Sequence, residues 1–233
     1  GFVSLIIYIL YSNLRINGTW YGVYNYYENS NTKWSHDNFM VFDNFKQDII
    51  PLMYSGDDVI GKSYFAFGNE IYFGNKDKHE YNNLVIKHFN KDSLVLYSSH
   101  QQTSVYQKIP DLLKQKNTVT NFTNKLLQLS SSENKLIDTV FFTDHYFLAK
   151  NINLQKKWSD YQYEIKKLND YKVLITNSSI KFIIKEKNKN LYFYQFHEKG
   201  LHEIKVKIIE SNKILNSEIK TKLKRMKKKR AYY

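Results

Sequence analysis

Lys62-Ser63-Tyr64-Phe65-Ala66-Phe67-Gly68-Asn69-Glu70-Ile71-Tyr72-Phe73 is the stretch that decides the fold class. Two runs rich in aromatic residues flank Gly68-Asn69, a pair that suits a tight hairpin turn. Side chains alternate across a strand, so Tyr64 and Ala66 fall on one face and Phe65 and Phe67 on the other. Downstream, a polar turn at Gly74–Glu80 leads into Leu84–Phe89. Asn90–Ser93 then turns the chain into Leu94-Val95-Leu96-Tyr97, and Thr103–Ile109 closes the run. Upstream, Leu14–Glu28 reads as one long aromatic strand. Strict alternation places Trp20, Tyr24 and Tyr26 on one face and Thr19, Tyr21, Val23 and Tyr27 on the other. Phe39–Phe42 is a second strand. Asp48–Tyr54 is a third, with Pro51 marking an edge or an irregular place.

Gly18-Thr19-Trp20, at the head of the long strand, resembles the Gly-x-Trp of the lipocalin superfamily, in which the Trp plugs the barrel floor. The small lipocalin-like domains of bacterial cell-envelope proteins are more similar still. Leu14, Gly18 and Trp20 fit their start, although the Leu is displaced. Gly61, Tyr64, Gly68, Asn69 and Ile71 fit their hairpin, and Ile86, Phe89, Leu94 and Leu96 their last strand pair. The resemblance covers residues 14–109. It implies an antiparallel lipocalin-like barrel or bent sheet in a non-enzymatic envelope protein. The expected ligand is a small apolar molecule or a protein partner, with Trp20, Tyr24, Tyr64 and Phe65 as candidate interior residues. A barrel filled by its own side chains, without ligand, is the alternative.

Composition supports a mainly β chain. Among 233 residues there are 20 Tyr and 15 Phe but only 2 Pro and 8 Gly, so neither a disordered nor a fibrous protein is expected. No cysteine is present, which excludes disulfides, Cys-ligated zinc, iron–sulfur clusters and a Cys nucleophile. The net charge is +13, of which +8 sits in Lys213–Tyr233. The basic balance is therefore mainly a property of the tail.

The chain divides into five segments. Residues 1–13 are nearly all apolar but too few to span a bilayer. They read either as a truncated signal or anchor segment, placing the protein in or near the cell envelope, or as a buried first strand or helix. Residues 14–109 form the first β domain. Residues 110–132 are expected to be a helical linker, because Phe122, Leu126 and Leu129 have helical spacing. Residues 133–210 form a second β-rich domain with strand candidates from Lys135–Thr143 to His202–Ile209. Ile86–Asn90 and Ile165–Asn169 echo one another, as a repeat would or as chance would in a Lys-, Asn- and Ile-rich chain. Residues 211–233 form a basic amphipathic helix, with Leu215, Ile219, Leu223 and Met226 recurring at helical spacing.

That helix carries Lys220, Lys222, Lys224, Arg225, Lys227, Lys228, Lys229 and Arg230. Three readings stay open: a solvated helix packed by its apolar stripe, a helix lying on anionic lipid, or a nucleic-acid or acidic-partner contact in a soluble cytoplasmic protein. On the second reading Lys220–Arg230 adds affinity for anionic surfaces and is dispensable for folding.

No catalytic constellation assembles. Gly56-Asp57-Asp58-Val59-Ile60-Gly61-Lys62-Ser63 matches the P-loop pattern, which would make the chain a nucleotide hydrolase. A P-loop opens a helix, however, whereas these residues lead into a strand, and the two acids oppose phosphate. His197-Glu198-Lys199-Gly200-Leu201-His202 is one residue too long for the zinc-protease motif and suits a turn. Ser35-His36-Asp37 is no triad, because triad members converge from separate segments. No metal or cofactor is implied. Asn17, Asn121 and Asn177 begin glycosylation-type triplets, which 24 Asn residues generate freely.

Overall fold

A computed structural model describes residues 1–30, 32–35, 38–43, 45–51, 60–74, 82–98, 101–115, 121–144, 146–150, 159–176, 180–209 and 213–230. The chain is mainly β and antiparallel. It forms two compact units: Gly1–Leu113 with Phe196–Leu201, and Lys114–Gln195 with His202–Tyr233.

The first unit opens with α1 (Phe2–Leu14). Nine strands follow: β1 (Gly18–Tyr27), β2 (Lys33–Ser35), β3 (Asn38–Asp43), β4 (Lys46–Pro51), β5 (Ile60–Phe67), β6 (Glu70–Gly74), β7 (Asn82–Phe89), β8 (Ser93–Ser98) and β9 (Gln102–Lys108). Each strand from β3 to β9 pairs with the next, and β9 returns to pair with β1 from Trp20↔Lys108 to Tyr27↔Gln102. Hydrogen bonding therefore runs full circle through β1 and β3–β9, with β2 a short addition beside the end of β1. Closure of this kind leaves no long edge exposed.

The two ends of this ring differ. At one end the strands are joined tightly: Asp43↔Lys46 and Phe67↔Glu70 each leave two residues between them. Gly68 takes φ +57, the angle wanted at the first central position of a two-residue hairpin turn. The longer connections, including residues 52–59 and 75–81 outside the described set, leave from the opposite end. Pro51 closes β4, where a missing N–H costs the ladder least.

A 3₁₀ turn at Asp111–Leu113 ends the main run of the first unit, and the chain continues into β10 (Leu126–Ser131), β11 (Leu136–Phe142), β12 (Tyr146–Ala149), β13 (Ser159–Leu168), β14 (Tyr171–Thr176), β15 (Lys181–Lys187), β16 (Asn190–His197) and β17 (Gly200–Ile208). These eight form a closed barrel, with β10 pairing β17 from Leu127↔Ile208 to Ser131↔Ile204. Its core gathers Leu127, Leu129, Val140, Phe142, Leu174 and Phe193, each from a position alternating with an outward one. α2 (Lys213–Arg230) follows and lies on the outside: Ile219 is buried with Leu126 and Leu148, and Leu223 packs beside them.

Several expectations change here. The apolar N-terminal run is a helix, one of the forms expected, but its apolar side chains are largely exposed, not buried. The segment expected as a helical linker holds one 3₁₀ turn, and Leu126–Ser131 is a strand. Leu127 and Leu129 point into the barrel while Leu126 points out against Ile219, a period-2 pattern hidden within a helical-looking spacing. The echoing segments lie in β7, sixth around the first ring, and β13, fourth around the second barrel, so they do not occupy equivalent places.

Candidate ligand-binding site

The interior of the first ring gathers two of the residues that the sequence offered as interior candidates, Trp20 and Tyr64. Its tight-turn end is closed by Trp20, which is fully buried and donates its indole N–H to the Ile16 carbonyl at 2.9 Å. Around it pack Met40, Phe42, Tyr64, Ile71, Ile86 and Leu94. Gly18 sits at φ +143, a conformation open in practice only to glycine, and a Cβ there would press on the Lys108 side chain. The two motif residues thus have separate jobs: Gly18 lets the chain turn into β1, and Trp20 fills the floor. Lys108 places its ammonium 5.6 Å from the Trp20 ring centre, and the Arg15 guanidinium lies 5.7 Å from that of Phe89. Replacing Gly18 by Ala is expected to cost about 1–3 kcal/mol from backbone strain, read as a lower urea midpoint.

α1 is fastened to this closed end by its last turn. The Asn13 side chain donates to the Ala66 carbonyl at 2.9 Å and accepts from the Ala66 N–H at 2.7 Å. The Tyr64 hydroxyl meets the Asn13 carbonyl at 3.2 Å and the Asn17 side-chain oxygen at 3.0 Å. Arg15 donates to the Gly68 carbonyl. Burial pushes the Tyr64 hydroxyl up to about 12, partly offset by its hydrogen bond with the Phe45 backbone. Since the folded value lies above the unfolded one, the stability tied to the protonated hydroxyl is complete below pH 10 and is lost as pH rises through about 12. Tyr64→Phe is expected to flatten that alkaline loss in a pH series of thermal melts.

Of the four interior candidates, Trp20 and Tyr64 are brought together in this cluster, whereas Tyr24 and Phe65 are not. Phe65 alternates with buried Tyr64 and Ala66 and is 41% exposed. Tyr24 is redirected by a bulge in β1 between Gly22 and Tyr24. Before the bulge Gly22 stands opposite Tyr106, a core residue; after it Tyr24 stands opposite Val105, on the outward face. One inserted residue flips every later side chain. Tyr24 instead lies under the Lys33 ammonium, 4.4 Å from its ring centre.

The same bulge turns Asn25 inward. Asn25 stands opposite Ser104 on β9, is 6% exposed, and its side-chain oxygen has no partner. Tyr106 is buried two residues from Ser104, and both Ser104 and Asn38 hydrogen-bond its hydroxyl. Burial pushes that hydroxyl well above its ordinary value, and those two bonds pull it partly back. The Asn38 side-chain oxygen is also buried without a partner. Sequence reasoning missed these residues. The one available signal was an Asn embedded in an otherwise aromatic strand end.

The remaining candidates lie elsewhere. Ser35 ends β2, and His36 and Asp37 fall outside the described residues. Gly56–Val59 of the P-loop-like run also lie outside them, but Lys62 and Ser63 are within β5, a strand rather than a helix start. His197 ends β16 and His202 lies within β17, with a turn at Glu198-Lys199 between them. Among the described residues no group of three or more His, Asp or Glu could hold a metal ion. Of the basic tail residues, Lys220, Lys224 and Arg225 are exposed, while Lys222 pairs with Asp160 at 2.7 Å; Lys227, Lys228, Lys229 and Arg230 complete the helix. Glu218 pairs with Lys150 at 3.1 Å, so opposite charges hold α2 on the barrel wall.

No protein-family model, curated protein or solved structure matches the chain.

Proposed function

We propose that this chain is a membrane-associated binding protein of the cell envelope, with a lipocalin-like first barrel that holds a small, largely apolar molecule. The observation that supports this reading most is α1. From Phe2 to Leu14 it carries no charge, and nine of its large apolar side chains are exposed, Phe2, Val3, Ile7 and Tyr11 by more than 60%. A protein groove covers one face of a helix, whereas these side chains occur around the whole circumference, a distribution suited to lipid. Among the described residues no helix is long and apolar enough to cross a membrane. At 1.5 Å per residue α1 is about 20 Å long, enough to enter one leaflet.

The exposed lysines and arginine of α2 add an electrostatic contact to anionic lipid, screened by salt. Vesicle flotation tests both parts. Wild-type protein is expected to float with neutral phosphatidylcholine vesicles and an Ile6→Glu/Leu10→Glu variant to remain behind. Adding phosphatidylserine is expected to strengthen flotation at low salt, and Lys220→Glu/Lys224→Glu/Arg225→Glu to remove only that gain. Wild type that does not float, or a charged α1 variant that floats equally well, overturns the reading. Binding of the basic face to oligonucleotides in preference to vesicles would favour the soluble alternative.

A further inference from the structure

We propose that the loop end of the first barrel recognises a hydrogen-bond-donating head group, a hydroxyl or primary amide on an apolar body, through the side-chain carbonyls of Asn25 and Asn38. The inference rests on the binding-protein reading above and names the chemistry of its ligand.

Three observations converge. The first is position. Asn38, Ser104 and Tyr106 lie on β3 and β9, and Asn25 on β1 between them. Extending the β1–β3 register one step past Tyr21↔Phe39 sets Gly22 opposite Asn38, and Gly22 also stands opposite Tyr106. With no side chain on Gly22, Tyr106 reaches across β1 to Asn38, which accounts for their hydrogen bond. The second is chemistry. Hydrogen bonds that pull a phenol's pKa down are those in which its oxygen accepts, so the Asn38 amide N–H is engaged with Tyr106. What remains on Asn38 and Asn25 is two buried carbonyl oxygens without partners. Buried polar atoms are almost always satisfied, so two orphan acceptors on one inner wall point to a missing donor. The third is the surroundings. Trp34 stands opposite Asn25 and Tyr27 lies two residues beyond it, so both share its face, with their rings 5.0 Å apart. Tyr27 is 47% exposed, giving an apolar rim above the carbonyls. A carboxylate head would bring further acceptors to acceptors and is disfavoured; a hydroxyl or amide supplies what is absent.

The test is titration with 1-decanol, decanamide and decanoate, read by calorimetry and by Trp34 emission, with Trp34→Phe showing that the optical signal comes from the rim. Decanol and decanamide are expected to bind about tenfold or more tighter than decanoate, the discrimination expected of one buried hydrogen bond. Asn25→Leu is expected to abolish that preference and to raise the melting temperature of the ligand-free protein, because an orphan acceptor is replaced by an apolar group. Equal binding of all three compounds, or an unchanged preference in Asn25→Leu, overturns the head-group assignment while leaving an apolar ligand in place. No binding of any of them, in protein that still floats with vesicles, overturns the ligand-holding part of the function as well. A lower melting temperature for Asn25→Leu would mean that its carbonyl already has a partner, such as an ordered water, and would also overturn the proposal.

Discussion

Trp20→Ala is expected to lower the stability of the first barrel by about 3–5 kcal/mol, the range for truncating a large buried aromatic side chain. The size of the effect follows from place. Trp20 is fully buried, its N–H is bonded to the Ile16 carbonyl, and it packs beneath Phe89 at 6.2 Å between ring centres. Truncation removes the floor and leaves the Ile16 carbonyl without that donor. Tyr24→Ala, four residues along the same strand but facing outward, should cost far less. Residue-resolved amide exchange is the suitable readout, because two units need not unfold together. The substitution should speed exchange in β1, β3 and β9 while β10–β17 keep their protection. A loss below about 1 kcal/mol would show that Trp20 is not the floor.

Ile219→Ala is the second large effect, about 2–4 kcal/mol in the second barrel. Ile219 is 3% exposed between α2 and the outward residues Leu126 and Leu148. Deleting Lys213–Tyr233 should do more harm still, because it uncovers that apolar strip and leaves Asp160 and Lys150 without their α2 partners. This revises the expectation that the basic helix is dispensable for folding: its inner stripe belongs to the core, and only its outer face is free for a surface. Denaturant unfolding of Ile219→Ala beside Lys224→Ala, an exposed control, separates the two faces. Equal small effects would contradict the packing.

The hairpin Lys62–Phe73 was legible because two local signals agree: aromatic alternation, and a glycine where the turn needs positive φ. Trp20 was legible through the resemblance of Gly18-Thr19-Trp20 to the lipocalin Gly-x-Trp, which implies a buried Trp at the head of a long strand. The facing of Tyr24 was not, because a bulge adds one residue without a compositional mark and reverses the alternation after it. That reversal also concealed Asn25, since a polar residue in an aromatic strand is by default assigned to the solvent face. The β10–β17 closure joins strands distant in sequence, and no local pattern carries that information. The α2 stripe was visible, but not what it would cover. Leu126, Leu127 and Leu129 show why short apolar runs mislead: the same letters satisfy a helix on one count and a strand with two covered faces on another.

The most direct test of the membrane reading uses the absence of cysteine. Ile7→Cys creates a single labelling position in the middle of α1, where the native side chain is 61% accessible. An environment-sensitive NBD label there should shift its emission to the blue on mixing with neutral phosphatidylcholine vesicles and be quenched by lipids brominated on their acyl chains. Emission unchanged by vesicles, with no quenching by brominated acyl chains, would contradict the placement of α1 in lipid.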